Sequence, residues 1–347
     1  KHIKNTSMTH RFPIKEIAAQ SGLAAATVDR VLHARPNVSA RARARVAAAI
    51  EELKAQEAML AAKGRRLFVD VVIEAPRRFS REVHRASLAA LPQINAAVIR
   101  LHFTEAEVME PAQILAHLAR IAKRGSHGVC LKSRDLPEIR AAIADLERRG
   151  IPVVAIFTDI PNSARVAYAG LDNAAAGRTA GWFMARMLGG PARGVVLTTK
   201  SNDLFEGEDA RFRGFCEVME QDAPHLQIRD VSGGQGLNAD TARMFEAMIA
   251  PDVVGIYSMG GGNRAILQVL ERAGLRPEVF IAHDLDEDNR ALLQSGGLTL
   301  VLEHDLTEDM RRAFLHLLAY HRLLPDQVAL PGMSAVQIIT PRNIPTD

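Results

Sequence analysis

Apolar positions along the chain follow two different patterns. From Leu67 onward, short apolar runs alternate with longer segments of helical spacing. "LFVDVVIEA" (67–75), "VIRLHFTE" (98–105), "GVCLKS" (128–133) and "PVVAIFTD" (152–159) read as strands. Residues 81–94, 111–124 and 136–149 carry the three-to-four-residue apolar spacing of helices. A second series begins near Asn173. Helices are expected at 174–189, 206–221, 239–250, 263–273, 287–294 and 307–322, separated by "GVVLTTK", "LQIRDVSGG", "VVGIYSMG", "VFIAHDL" and "LTLVLEHDL". Near-continuous apolar strands alternating with helices predict parallel sheets covered on both faces. Two such series predict an α/β body of two doubly wound parallel-sheet subdomains. Ligands of such sheets bind in the cleft, beyond the carboxyl ends of the strands.

Before Leu67 the pattern is all helical. "IKEIAAQSG" places Ile14, Ile17 and Ala18 on one face, and Gly22 can take the left-handed turn that ends a helix. "AAATVDRVLH" places Val28, Val31 and Leu32 together. Pro36 breaks the chain, and Ser39 is a good N-cap for "ARARARVAAAIEELKAQ". Helix, glycine turn, helix, loop and third helix form a helix-turn-helix layout, which many small helical bundles share. The connector "LKAQEAMLAAKGRR" is rich in Ala, Met, Leu and Lys and favours continuous helix up to Gly64.

Charge separates the same two regions. The net charge of +3 conceals 13 Lys+Arg against 5 Asp+Glu in residues 1–66, or +8, and 30 against 35 in the remainder, or −5. A basic head on an acidic body points to a polyanion partner for the head, with a merely solvated basic surface as the alternative. The two cysteines, Cys130 and Cys216, lie in apolar runs; neither a disulfide framework nor a metal site is expected, and a cytoplasmic location fits. No apolar stretch reaches the roughly 18 residues of a membrane span, and no signal peptide precedes the basic segment. The chain starts at Lys1, so "KHIKNTS" reads as an added tail with Met8 as the natural start. "MGGGNRA" is not a G-x-G-x-x-G motif, and no cofactor is expected; its glycines are expected instead to let a ligand approach the backbone. No Ser/His/Asp order or Cys/His pair suggests an enzyme, although Asp and His residues in a cleft could do acid–base work.

The stretch "IKEIAAQSGLAAATVDRVLHARPNVSARARARVAAAIEEL" resembles the DNA-binding head of the lactose-repressor (LacI) family, through its "EIA", "SG", "TVDRVL" and "NVS" elements and its third helix. The resemblance implies that the second helix lies in the major groove. It implies DNA contacts from Ala25, Ala26, Thr27 and Arg30, and backbone contacts from Asn37, Ser39 and Arg43. Alanines reach only a thymine methyl, so Arg30 is the strongest candidate reader. Asp29 stands where the family commonly has serine; near phosphates it needs Arg30 or another basic neighbour, or else it accepts from cytosine. Ala24 and Pro13 replace the usual capping serine and threonine. The family's Pro-Asn hinge is missing; Leu60 could serve as a minor-groove wedge, but a helical linker is the simpler reading.

"TDIPNSARVAYAGLDNAAAGRTAG", "RFRGF", "HDLDED" and "VLEHDL" resemble, in order, the type I periplasmic-binding-protein body of LacI-type regulators. The resemblance implies ligand contacts from Asp159, Arg211, Asp284 and His304, and more weakly from Asn263, Arg165 and Phe79. Asp284 could instead cap the helix at 286–294, Asp159 could cap a turn, and Asn263 could cap its own helix. A carboxylate accepts from vicinal hydroxyls and a guanidinium donates to two oxygens, so the set suits a sugar-like polyol. The expected organisation is a tail (1–11), a DNA-binding domain (12–53), a connector (54–66) and an effector-binding body (67–347). Within the body, one subdomain covers about 67–172 and 305–328, the other about 173–304 and 329–347. The implied protein is a dimeric transcription regulator that binds operator DNA and a small effector, with no membrane partner. A solute receptor or a carbohydrate enzyme is the alternative.

Overall fold

The computed structural model describes residues 12–62, 65–190, 193–201, 203–325, 330 and 332–345, with side chains of 55–62 left undescribed. The expectations for the tail, Met8 and the Leu60 side chain lie outside the described residues. The chain forms two compact units. Of the described residues, one holds those up to Arg66 with short segments at 95–98 and 321–325, and the other holds the rest.

In the head, α1 (Ile14–Ser21), α2 (Ala25–Leu32) and α3 (Ala40–Ala62) follow the expected order. Phe12, Ile17, Val28, Val46, Ala49 and Leu53 are buried together, joined by Ile14, Ala18, Leu23, Val31, Leu32 and Ile50. The apolar faces seen in the sequence therefore make one small core. Gly22 ends α1 at φ +61°, which lets the Leu23 amide donate to the Ala18 carbonyl at 3.2 Å. Pro13 and Ala24, at the two N-caps, supply no side-chain cap bond. Ser39 does: its Oγ accepts from the Ala42 amide at 3.2 Å. Helix α3 continues without a break to Ala62, as the connector composition predicts.

The body carries two sheets. β1 (Arg66–Glu74), α4 (Arg77–Ala90), β2 (Val98–Ala106), α5 (Pro111–Arg124), β3 (Gly128–Lys132), α6 (Pro137–Arg148), β4 (Val153–Ile156) and β5 (Ala167–Ala169) build the first, in strand order β2-β1-β3-β4-β5. α7 (Asn173–Met187), β6 (Gly194–Thr199), α8 (Glu206–Asp222), β7 (Leu226–Asp230), α9 (Asn238–Glu246), β8 (Val253–Ser258), α10 (Asn263–Arg272), β9 (Val279–His283), α11 (Glu287–Gln294) and β10 (Leu300–Glu303) build the second. α12 (Leu306–Tyr320) returns to pack on α4, β4 and β5, and β11 (Gln337–Ile339) returns to the second sheet, whose order is β11-β10-β9-β8-β6-β7. β5 and β11 were not foreseen; each has only three residues, and β11 pairs antiparallel with β10.

The second sheet is covered on both faces. Met184, Phe215 and Tyr257 lie in one core cluster, and Phe245, Ile266 and Val269 in the other. Val72, Leu118, Leu131 and Ile143 belong to the core of the first sheet. The chain passes between the subdomains near Leu171, Asp305 and Ser334, and a Leu171–Ser334 bridge ties two of these passages together. The strand carboxyl ends of both sheets consequently face one cleft.

Candidate effector cleft and nucleic-acid interface

The cleft is lined from the first sheet by Glu74, Lys132, Phe157 and Thr158, and from α4 by Arg78 and Phe79. From the second subdomain come Ser201, Glu208, Arg211, Met259, His283, Asp284, Asp286 and His304. Its position follows from topology, because parallel strands end on one side and their following loops converge there.

Arg211 is held by close helix packing. A Cβ at Gly177 would lie 2.0 Å from the Arg211 carbonyl oxygen, and one at Gly214 would lie 2.3 Å from that of Ala174. Glycine at both positions therefore lets the backbones of α7 and α8 touch. The Arg211 Nε donates to Asn173 Oδ1 at 2.7 Å and Nη1 donates to the Met259 carbonyl at 3.1 Å. Asn173 is itself fixed, donating to Tyr168 Oη and to the Leu171 carbonyl. The guanidinium is thus buried and oriented, and among the described residues no carboxylate pairs with it.

Asp284 sits at φ +65°, a left-handed conformation that aspartate tolerates better than most residues. Asp286, not Asp284, caps α11, accepting from the Asn289 amide at 2.8 Å. Asp284 Oδ1 is buried and, among the described residues, has no hydrogen-bond partner; His304 Nε2 lies 3.8 Å away, too far for a hydrogen bond. His304 is bonded through Nδ1 to Asp309 of α12. Burial alone would lower the His304 pKa, but the Asp309 hydrogen bond and charge, with Asp284 and Glu303, outweigh it and raise it. Phe79 meets Phe157 edge-on at 5.4 Å, giving the cleft an aromatic wall.

Three expected residues stand elsewhere. Asp159 and Arg165 do not line the cleft; they form a bidentate ion pair, and Asp159 Oδ1 also accepts from the Ile160 amide. The physical reason is Phe157, which leaves β4 at φ +64° so that Phe157 and Thr158 take the strand-end positions. Asn263 is buried behind the cleft, donating to Asn289 Oδ1 at 2.8 Å. Of the glycines in "MGGGNRA", Gly260 closes on Ser201 and Gly261 on Arg78. Their space is taken by the protein itself.

Sequence reasoning missed Lys132, Glu74, Glu208, Arg78 and Asp286. Lys132 had a readable signal, since a lysine ending the apolar run "GVCLK" stands at a strand carboxyl end. Arg78 and Asp286 had none. They meet across the cleft, with Arg78 Nε 2.7 Å from Asp286 Oδ2 and Nη2 donating to the Gly236 carbonyl at 2.9 Å. Arg81 and Glu287 add a more exposed pair at 3.3 Å. Burial raises the Asp286 pKa to about 6, against the Asn289 hydrogen bond and the Arg78 charge. A carboxyl whose folded pKa is raised contributes stability at low pH that is lost as pH rises from about 4 through 6. Above pH 6 the charged form depends on Arg78. Arg78→Ala is therefore expected to destabilise the body by up to about 3 kcal/mol at pH 8, and far less at pH 5, where Asp286 is neutral. Equal losses of melting temperature at the two pH values would refute this.

In the head, Ala25, Ala26 and Arg30 are exposed on α2, and Thr27 is half-buried. Asp29 is engaged by His33 at 3.0 Å and Arg35 at 3.3 Å, which leaves Arg30 outside that cluster. Asn37 takes φ +64° in the loop. Arg43 donates to the Val38 carbonyl at 2.8 Å, bracing that loop against α3. Arg30, Asn37, Ser39 and Arg43 are all exposed.

The family model of a periplasmic binding protein domain matches residues 89–305, and that of bacterial regulatory proteins of the lacI family matches residues 13–54. The chain is a lacI-family regulatory protein with a periplasmic-binding-protein body. The lacI match ends at Lys54, whereas α3 runs on to Ala62. Among solved structures, the regulator is similar to GanP, a glucose-galactose binding protein from Geobacillus stearothermophilus. They share 20% identity and a TM-score of 0.71 over 81% of this chain and 100% of that one. A solute-binding protein from Burkholderia graminis C4D1M in complex with D-arabinose gives 19% and 0.71 over 81% and 97%. A protein from Bacteroides fragilis assigned as a LacI transcriptional regulator gives 16% and 0.69 over 81% and 98%. At these identities the likeness establishes the fold. No curated protein gives a significant sequence match. Among the described residues, no helix is long and apolar enough to cross a membrane, and no group of three His, Cys, Asp or Glu residues is placed to hold a metal.

Proposed function

We propose that this lacI-family regulator is a one-component repressor acting in the cytoplasm. Its head binds operator DNA as a homodimer, and a sugar-like polar effector binds the body cleft without being chemically changed. The observation that carries the effector reading is Arg211 and the unpartnered Asp284 Oδ1 lining one cavity. A fixed guanidinium donates to two oxygens and a carboxylate accepts from hydroxyls, which is polyol recognition. The similar proteins that bind glucose, galactose or D-arabinose support this reading. The exposed α2 surface supports operator contact, with Ala25, Ala26, Thr27 and Arg30 toward the bases and Asn37, Ser39 and Arg43 toward the backbone. The unbroken α3 favours a stiff connector over a minor-groove hinge. A 100-fold preference of the effector for one head spacing would amount to roughly 2.8 kcal/mol of coupling.

The test is a DNA mobility-shift assay with and without candidate sugars, with the sugars analysed afterwards for product. Operator binding that responds to a sugar recovered unchanged is the expected result. Failure to bind any DNA would favour a solute receptor, and consumption of the sugar would favour an enzyme. Arg30→Ala should weaken operator binding by about 1–3 kcal/mol and relax preference at one base pair. Unchanged affinity would remove Arg30 from the readout.

A further inference from the structure

We infer that Arg78 is a specificity-determining residue, a strap across the mouth of the cleft that limits the effector to a single sugar ring. The inference rests on the reading that the cleft holds a sugar-like effector, and narrows its class.

The strap is built from both subdomains. Arg78 stands on α4 of the first; its Nε lies 2.7 Å from Asp286 Oδ2, and its Nη2 donates to the Gly236 carbonyl at 2.9 Å. Both partners belong to the second. Asp286 is itself fixed, since it caps α11 through the Asn289 amide. Glycines make the socket. A Cβ on Gly261, at φ +92°, would lie 2.0 Å from Arg78 Nη2, and one on Gly236, at φ +65°, would lie 2.2 Å from the Gly260 carbonyl oxygen. Gly261 of "MGGGNRA" thus makes room for a guanidinium of the protein's own. One helical turn along α4, Arg81 reaches Glu287 at 3.3 Å. The side chains of the Arg78–Asp286 pair are 16% and 7% exposed and those of Arg81–Glu287 68% and 77%, so the two rungs lead from the cavity out to solvent.

The strap separates two spaces that share a wall. Arg78 and Asp286 line the cavity, together with Ala75, Glu107 and Val108. Ala75, Glu107 and Val108 also line an open groove beyond it, with Arg81, Glu105 and Leu237. Arg81 and Glu105 are exposed there and offer a donor and an acceptor to hydroxyls. The groove has partners for the second ring of a disaccharide whose first ring occupies the cavity. With the strap in place, that second ring has to displace the Arg78 guanidinium from an ion pair and a hydrogen bond, and leave the buried Asp286 carboxylate unpaired at neutral pH, which is costly. A single ring leaves both contacts intact.

The experiment measures binding to the full chain by calorimetry. The probes are D-glucose, D-galactose and D-arabinose, each beside disaccharides in which it is joined to a second glucose ring through different hydroxyls, such as maltose and trehalose for glucose. The parent protein is expected to bind at least one monosaccharide, and each disaccharide containing it about 100-fold or more weakly. In Arg78→Ala that gap is expected to narrow to about 10-fold or less for at least one disaccharide, through gained disaccharide affinity. The double variant Arg78→Ala/Asp286→Asn removes both charges, leaves no unpaired carboxylate at the strap, and is expected to behave alike. The melting temperature of each variant reports whether it folds. A disaccharide bound by the parent as tightly as its monosaccharide, or a gap left unchanged in a folded variant, would overturn the inference while leaving the sugar reading intact. Absence of binding by every sugar to the parent would overturn both.

Discussion

Replacing Arg211 by alanine is expected to weaken effector binding by about 3 kcal/mol or more, roughly 150-fold, while the ligand-free protein still binds its operator. The size follows from burial. Arg211 is 6% exposed and is aligned by Asn173 and the Met259 carbonyl. Its guanidinium is therefore organised before the ligand arrives, and little ordering entropy is spent on binding. The substitution also leaves Asn173 Oδ1 without its donor. A separate stability loss of about 1–3 kcal/mol is expected from that atom and the Met259 carbonyl. Arg211→Lys separates charge from geometry, because lysine keeps the charge but not the planar fork. It should recover only part of the affinity. Calorimetry beside thermal melting distinguishes lost contact from lost fold. Effector affinity within a factor of three of the parent in a folded Arg211→Ala protein would place the ligand elsewhere.

Much of this arrangement was legible in the chain because it depends on local order. A period-two or near-continuous apolar run fixes a strand, and its carboxyl end then fixes which residues face the cleft. Asp284 and His304 directly follow β9 and β10, whereas Phe79 and Arg211 lie on α4 and α8; all four were named from the family resemblance, and all four line the cavity. Asp159 was misplaced because the strand-end position depends on a backbone angle. Phe157 takes a left-handed φ of +64°, Phe157 and Thr158 line the cavity while Asp159 pairs with Arg165, and nothing in "FTDIPN" announces that turn. The Arg78–Asp286 pair could not be read because its members are more than two hundred residues apart and meet only when the two subdomains face each other. β5 and β11 escaped notice because three residues carry too little periodicity, and their pairing is set by neighbours already in place. The head was easier. Its core consists of helix faces close in sequence, and glycine, proline and serine mark its turns.

The largest expected effect concerns salt and DNA. Operator affinity should fall by about 10³–10⁵ between 50 and 200 mM salt if each dimer neutralises about 6–10 phosphates. The charge for this is concentrated: residues 1–66 hold 13 of the 43 Lys+Arg and only 5 of the 40 Asp+Glu. Arg30, Arg41, Arg43 and Arg45 are exposed in the head. The Asp29 carboxylate, the one acidic side chain on α2, is already held by His33 and Arg35, so its repulsion of phosphate is reduced. The body contributes little attraction, since the remainder of the chain carries −5. Effector binding should respond much less to salt, because enclosed charges are screened less than exposed ones. A plot of log affinity against log salt should thus have a slope near −5 to −9 for DNA, taking about −0.9 per phosphate, and a far shallower one for the effector. Arg43→Ala should make the DNA slope shallower by about 1 per subunit if its guanidinium meets a phosphate. A DNA slope near zero would mean that the basic head is only a solvated surface, and the regulator would have to find its operator by contacts other than those to the backbone.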